Sequence, residues 1–90
     1  MMNQVMLVGR IAKITDDGIE VSVPRSFKNE EGIYETDIVP VTTTDSISKN
    51  VKEYCKVGDT IGVRGRIEMK DNNIVIITEK LTFLSSKQII

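Results

Sequence analysis

Two kinds of side chain in this chain can do chemistry together: flat aromatics, and cations set close beside them. Arg25, Phe27, Lys28 and Tyr34 flank or belong to a polar stretch, Lys28-Asn29-Glu30-Glu31-Gly32. That combination suits a single nucleic-acid strand, which needs cations along its backbone and π faces under its bases. Arg25 and Lys28 are placed to grip phosphates next to a base stacked on Phe27 or Tyr34. Phe27 also has a plainer role open to it, packing at the rim of a barrel. Tyr34, whose hydroxyl tolerates water, is the better stacking candidate. More cations fall in phase. Arg10 on one strand pattern, with Arg64 and Arg66 on another, makes a basic stripe where the two strands are neighbours, and Lys70 adds charge at the next turn. The plainer alternative is a solvated surface in which Arg66 pairs with a neighbouring Glu.

Other chemistries lack their residues. There is no His, so imidazole bases, Ser-His triads, Cys-His pairs and most zinc sites cannot be assembled. Cys55 is the one cysteine; it permits no internal disulfide, fits a reducing compartment, and reads as a small apolar filler. Asp16-Asp17 and Glu30-Glu31 lie in turns, where acidic residues are expected anyway. Glu35 and Asp37 share a strand face but have no third ligand or nucleophile beside them. Gly62-x-x-Gly65 has no Lys-Ser/Thr after it and so is no phosphate loop. The expectation is a binding protein, not an enzyme, with no metal, no cofactor and no small-molecule substrate. Twelve Lys and Arg against thirteen Asp and Glu leave a net charge of −1, whereas nucleic-acid binders usually carry a basic surplus. The distribution of charge must therefore carry the binding. No apolar run approaches the ~20 residues of a membrane span, and the chain opens directly in a strand pattern with no room for a removable signal. The expected location is cytoplasmic, with no membrane partner.

The elements that must position these residues are mostly strands. Ile, Val and Thr number 13, 10 and 8, while Leu and Ala together number 4. Side chains branched at Cβ favour pleated strands, and the best helix formers are scarce. Residues 3–14 form a β-rich run with Gly9 as a bend or bulge. Asp17-Gly18 supplies a positive-φ turn. Residues 19–27 put Ile19, Val21 and Val23 on one face, with an irregularity at Pro24. Residues 33–43 make a third strand, irregular at Pro40. From Thr44 the period changes. Asp45 or Ser46 caps a short helix carrying Ile47, Val51, Tyr54 and Cys55 at helical spacing, so Tyr54 packs on the rest of the fold. Residues 60–70 alternate again, a tight turn follows at 71–73, and residues 74–84 complete the last strand with Phe83 in the core. One domain over 1–84 with a short tail at 85–90 is expected. The order β-β-β-α-β-β is that of an all-β fold, the five-stranded OB-fold Greek-key barrel with one helix between strands 3 and 4. SH3-like barrels lack a helix there.

In that order, specific residues resemble the bacterial single-stranded DNA-binding protein family over nearly the whole chain. Met2-Asn3-Gln4-Val5-Met6-Leu7-Val8-Gly9-Arg10-Ile11 is similar to its first strand. Arg25-Ser26-Phe27-Lys28-Asn29, Gly32 and Glu35-Thr36-Asp37-Ile38 are similar to its second hairpin. Asn50-Val51, Tyr54, Lys56 and Gly58, then Val63-x-Gly65-Arg66-Ile67, resemble its helix and fourth strand, and Leu81-Thr82-Phe83-Leu84 closes the match. The resemblance implies a cytoplasmic protein that coats single-stranded DNA without sequence preference in replication, recombination or repair. It also implies a homo-oligomer, usually a tetramer, assembled through first strands; a dimer or tetramer is expected. The chain departs from the pattern in its shorter first hairpin and in the tight turn at 71–73. Thr44 and Ile38 stand where aromatics are frequent. With no acidic-tipped tail, recruitment of replication and repair partners is not expected. The rival reading is an OB-fold that binds protein, an accessory replication or primosomal factor with weak or no DNA binding, its first strand pairing with another chain.

Overall fold

Alternating β-branched side chains give each strand one apolar face, and strands that close on each other bury it. A computed structural model, describing residues 1–85, shows that closure. The strands are β1 (Val5–Ile14), β2 (Gly18–Lys28), β3 (Tyr34–Thr42), β4 (Thr60–Lys70) and β5 (Asn73–Ser85), with one helix, α1 (Asp45–Tyr54), between β3 and β4. They form a closed barrel in the order β1-β2-β3-β5-β4. Every pairing is antiparallel except β3 with β5, which meet in parallel at Thr42 and Ile77. This is the OB-fold architecture expected from the element order. Ser85 ends β5; the rest of the expected tail, residues 86–90, lies outside the described residues.

The core is made of the residues that alternate inward: Ile11, Ile19, Val21, Val41, Ile61 and Val63 from the strands and Val51 from the helix. Burying each contributes ~1.5–3 kcal/mol. β1 serves two partners, pairing with β4 over Val5–Arg10 and with β2 over Arg10–Ile14. Gly9 sits where the strand changes partner. A Cβ there would stand 2.3 Å from the Ser22 carbonyl oxygen, so close approach of β2 demands glycine, and the bulge falls later, between Ile11 and Lys13.

Several local expectations need correcting. The helix is capped by Thr44, not Asp45 or Ser46: its hydroxyl accepts from the Ile47 amide at 3.3 Å. Asp45 in the first turn and Lys52 in the last complement the helix dipole. Tyr54 stays exposed; three residues beyond Val51 it lies ~60° off the buried stripe, whereas Cys55 at the C-cap lies closer to it. Phe83 is half exposed, because it faces the open groove between α1 and β5, lined by Ile47, Asn50, Val51 and Leu81, and not the closed interior. Pro40 stays in unbroken register opposite Glu20. β3 meets β5 only at Thr42, so most of its second edge is free, and there a residue without N–H is tolerated.

Two arms leave the barrel. Beyond Gly65 the inward phase of β4 meets no opposite wall, and Ile67 and Met69 are exposed. The β4–β5 arm turns on Asp71 and Asn72, both in the left-handed region (φ 52° and 65°), as the tightest hairpin turns require. The second arm is the end of the β2–β3 hairpin, where the candidate aromatics sit.

Candidate nucleic-acid interface

Pro24 cannot donate to a ladder, and the β2–β3 register breaks immediately after it. Between Pro24↔Thr36 and Lys28↔Tyr34, four steps along β2 match two along β3. Arg25, Ser26 and Phe27 therefore bulge opposite Glu35. Within this bulge Phe27 is 84% exposed, and Tyr34 across the turn is 56% exposed. Lys28, the register partner of Tyr34, holds its ammonium 5.7 Å from the centre of the tyrosine ring, a cation–π arrangement. Alternation places Tyr34, Thr36 and Ile38 on one face of β3 and Glu35 and Asp37 on the other.

Arg25 spans the gap in the ladder. Its Nε and Nη2 donate to Asp37 Oδ2 and Oδ1 at 3.0 and 2.9 Å, and its Nη1 donates to Glu35 Oε1 at 2.7 Å. The other Glu35 oxygen accepts from Asn29 Nδ2 at 3.2 Å, while Asn29 Oδ1 accepts from the Glu31 and Ile33 amides at 2.8 and 3.0 Å. The hydrogen bond from Arg25 holds the Asp37 carboxyl below the ordinary carboxylate range. In return, that bond and the charges of Asp37 and Glu35 raise the guanidinium further above its usual value. Arg25, Phe27, Glu35 and Asp37 line one open groove of about 500 Å³.

The remaining cations lie elsewhere. Arg66 is held by Glu68 (Nε to Oε2, 2.8 Å) and Glu79 (Nη1 to Oε2, 3.0 Å), which raise its pKa. That is the plainer alternative foreseen for it. Arg10 and Arg64 face outward from neighbouring strands, in phase as expected. Arg10 sits opposite Thr60 and Arg64 opposite Met6, so four residues of β4, ~13 Å, separate them. Lys70 is exposed beside the β4–β5 turn, paired in register with Asn73. The eight candidate residues thus fall in three places: Arg25, Phe27, Lys28 and Tyr34 on the hairpin; Arg10 and Arg64 on the β1–β4 wall; Arg66 and Lys70 on the β4–β5 arm. Among the described residues, Arg10, Lys28, Arg64 and Lys70 have no carboxylate within 4.0 Å.

Sequence reasoning missed two features. Lys80 faces Arg64 from β5 because the register slips one residue between Arg64 and Gly65; counted back from the turn without that slip, it would face Val63. The outer wall is also apolar, with Met6, Val8 and Leu84 exposed around a groove of about 280 Å³. The alternation of β1 carried that signal, since Met6, Val8 and Arg10 share the phase opposite the core. No helix among the described residues is long and apolar enough to cross a membrane.

Residues 2–75, which include most of the barrel and all eight candidates, match the single-strand binding protein family. The chain belongs to that family. Single-stranded DNA-binding protein B of Bacillus subtilis (strain 168) is 39% identical over an alignment covering 78% of this chain and 71% of that protein. Single-stranded DNA-binding protein 1 of Clostridium acetobutylicum is 32% identical, with 97% of each chain covered. The fold is shared with the Plasmodium falciparum SSB in its complex with ssDNA (TM-score 0.76, 17% identity, 94% of this chain and 96% of that one). It is shared too with the dimeric N-terminal domain of PriB from Thermoanaerobacter tencongensis (TM-score 0.70, 14% identity, 93% and 98%). Among the described residues, the hairpin of this family member carries two exposed aromatics, one free cation, and one arginine held between two carboxylates.

Proposed function

We propose that this member of the single-strand binding protein family binds single-stranded DNA without sequence preference, as a binding protein and not an enzyme, in replication, recombination or repair. The observation that carries the reading is the pair Phe27 and Tyr34. Half of the aromatics in the chain stand exposed on one hairpin, with the Lys28 ammonium over the Tyr34 ring. Stacking on such rings tolerates any base. Lys28 contacts the adjoining phosphate, and Arg10, Arg64 and Lys70 extend the backbone path. Arg25 and Arg66 belong to the same surface with their charges balanced. Copies of the chain associate through the apolar outer wall and the β1 edge beside it, which β2 leaves open before Arg10. The protein works in the cytoplasm. The apolar wall also fits the rival reading, a module that binds protein.

Fluorescence anisotropy of a labelled oligo-dT at low and moderate salt separates these readings. Single-strand binding appears as micromolar or tighter affinity that fades with salt and weakens when Phe27 and Tyr34 are both changed to Ala. Absence of binding at low salt leaves the fold serving a protein partner.

A further inference from the structure

We infer that Arg25 is a positioning residue and not a phosphate contact: with Asp37, Glu35 and Asn29 it braces the bulged end of the β2–β3 hairpin so that Phe27 and the Lys28–Tyr34 pair are presented to the strand. The inference rests on the single-strand reading above and deepens it.

The backbone ladder does not set the shape of this segment. No pair forms between Pro24↔Thr36 and Lys28↔Tyr34, and three β2 residues face one on β3. Phe27 is too exposed for packing to fix it. What crosses the gap is a continuous run of side-chain hydrogen bonds. It starts at Asp37, passes through the three donating nitrogens of Arg25 to Glu35, and continues to Asn29, whose side chain closes the turn on the Glu31 and Ile33 amides. The fork of Arg25 matches a carboxylate on Asp37 in the two-point manner that makes arginine a rigid connector. The brace sets one guanidinium against two carboxylates, so it offers a phosphate no net attraction. Were Arg25 to leave for a phosphate, Glu35 and Asp37 would remain unpaired beside that same phosphate.

Asp37→Asn separates the two roles by sign, because it keeps the shape of the side chain and removes the charge that holds Arg25. A positioning Arg25 makes Asp37→Asn and Arg25→Ala each weaken oligo-dT binding roughly fivefold to tenfold, the low end of what loss of one stacked aromatic produces. The slope of log K against log salt stays the same, and the double variant binds no worse than either single one. A phosphate-contacting Arg25 reverses this: Asp37→Asn tightens binding and steepens the slope by about 0.7, and Arg25→Ala makes it shallower by as much. Amide hydrogen exchange on the free protein is the second readout. Both variants should speed exchange at Asn29, Ile33 and Tyr34 while Val21 and Ile61 stay protected. Tighter or unchanged DNA binding by Asp37→Asn, or unchanged hairpin exchange, overturns the inference. A wild-type protein that fails to bind oligo-dT defeats the single-strand reading instead, and the exchange rates still decide whether the brace holds the hairpin.

Discussion

At the scale of residues, Lys28 and Tyr34 form the one unit among the described residues in which a free cation and an exposed ring meet. Their contributions separate experimentally because they obey different laws. Tyr34→Ala removes a stacking face and should cost ~1–3 kcal/mol of binding to oligo-dT, nearly the same at every salt concentration. On the proposed role of Lys28 as a phosphate contact, the cost of Lys28→Ala should shrink as salt rises, the slope of log K falling by about 0.7. Titrations of both variants at three salt concentrations test this. Equal salt dependence for the two would mean that Lys28 serves the ring and not the strand. The types of these residues were legible in the sequence; their partners were not. Arg25, Lys28 and Arg66 look equivalent in a list of cations. Glu35 and Asp37 lie ten and twelve positions from Arg25, and it is the pairing of β2 with β3 that brings all three together.

At the scale of elements, the helix cap makes a clean test of local physics. Thr44 alone offers its hydroxyl to the Ile47 amide, so Thr44→Ala should lower stability by about 1 kcal/mol in urea unfolding. Ser46→Ala, inside the first turn, should change it by less. The reverse ranking would return the cap to the position the helical spacing first suggested. Periodicity located every strand and the helix within a few residues, because alternation of Ile and Val needs only one face to be buried. It failed where tertiary geometry overrides local preference. Asp17-Gly18 has the residues of a positive-φ turn, yet Gly18 is glycine for another reason: a Cβ there would stand 2.0 Å from the Val41 carbonyl oxygen. Positive φ occurs instead at Asp71 and Asn72, and at Gly32 and Gly58. Phe83 keeps core phase, opposite buried Ile61, but sits where the barrel opens, and no pattern in a strand states where its opposite wall ends.

At the scale of the whole molecule, a net charge of −1 means that long-range attraction cannot carry binding, so the salt-dependent part of the affinity must come from the few cations left uncommitted. Six arginines and lysines of the candidate surface would give a log K–log salt slope of about −4.2 if each met a phosphate. With Arg25 and Arg66 each held by two carboxylates, four of these six remain, and they account for a slope of about −2.8. An oligo-dT of about eight bases, within the span of a single OB barrel, isolates one subunit from any contribution of neighbouring copies. Anisotropy titrations from 20 to 300 mM salt should then give a slope no steeper than about −3. Glu68→Gln combined with Glu79→Gln, which frees Arg66 on the β4–β5 arm, should move that slope towards −3.5. An unaltered slope in the double variant would remove the arm from the path of the strand and confine binding to the hairpin and the β1–β4 wall. A wild-type slope near −4 would mean that the ion pairs open for DNA, so that the carboxylates tune affinity without deciding which cations take part.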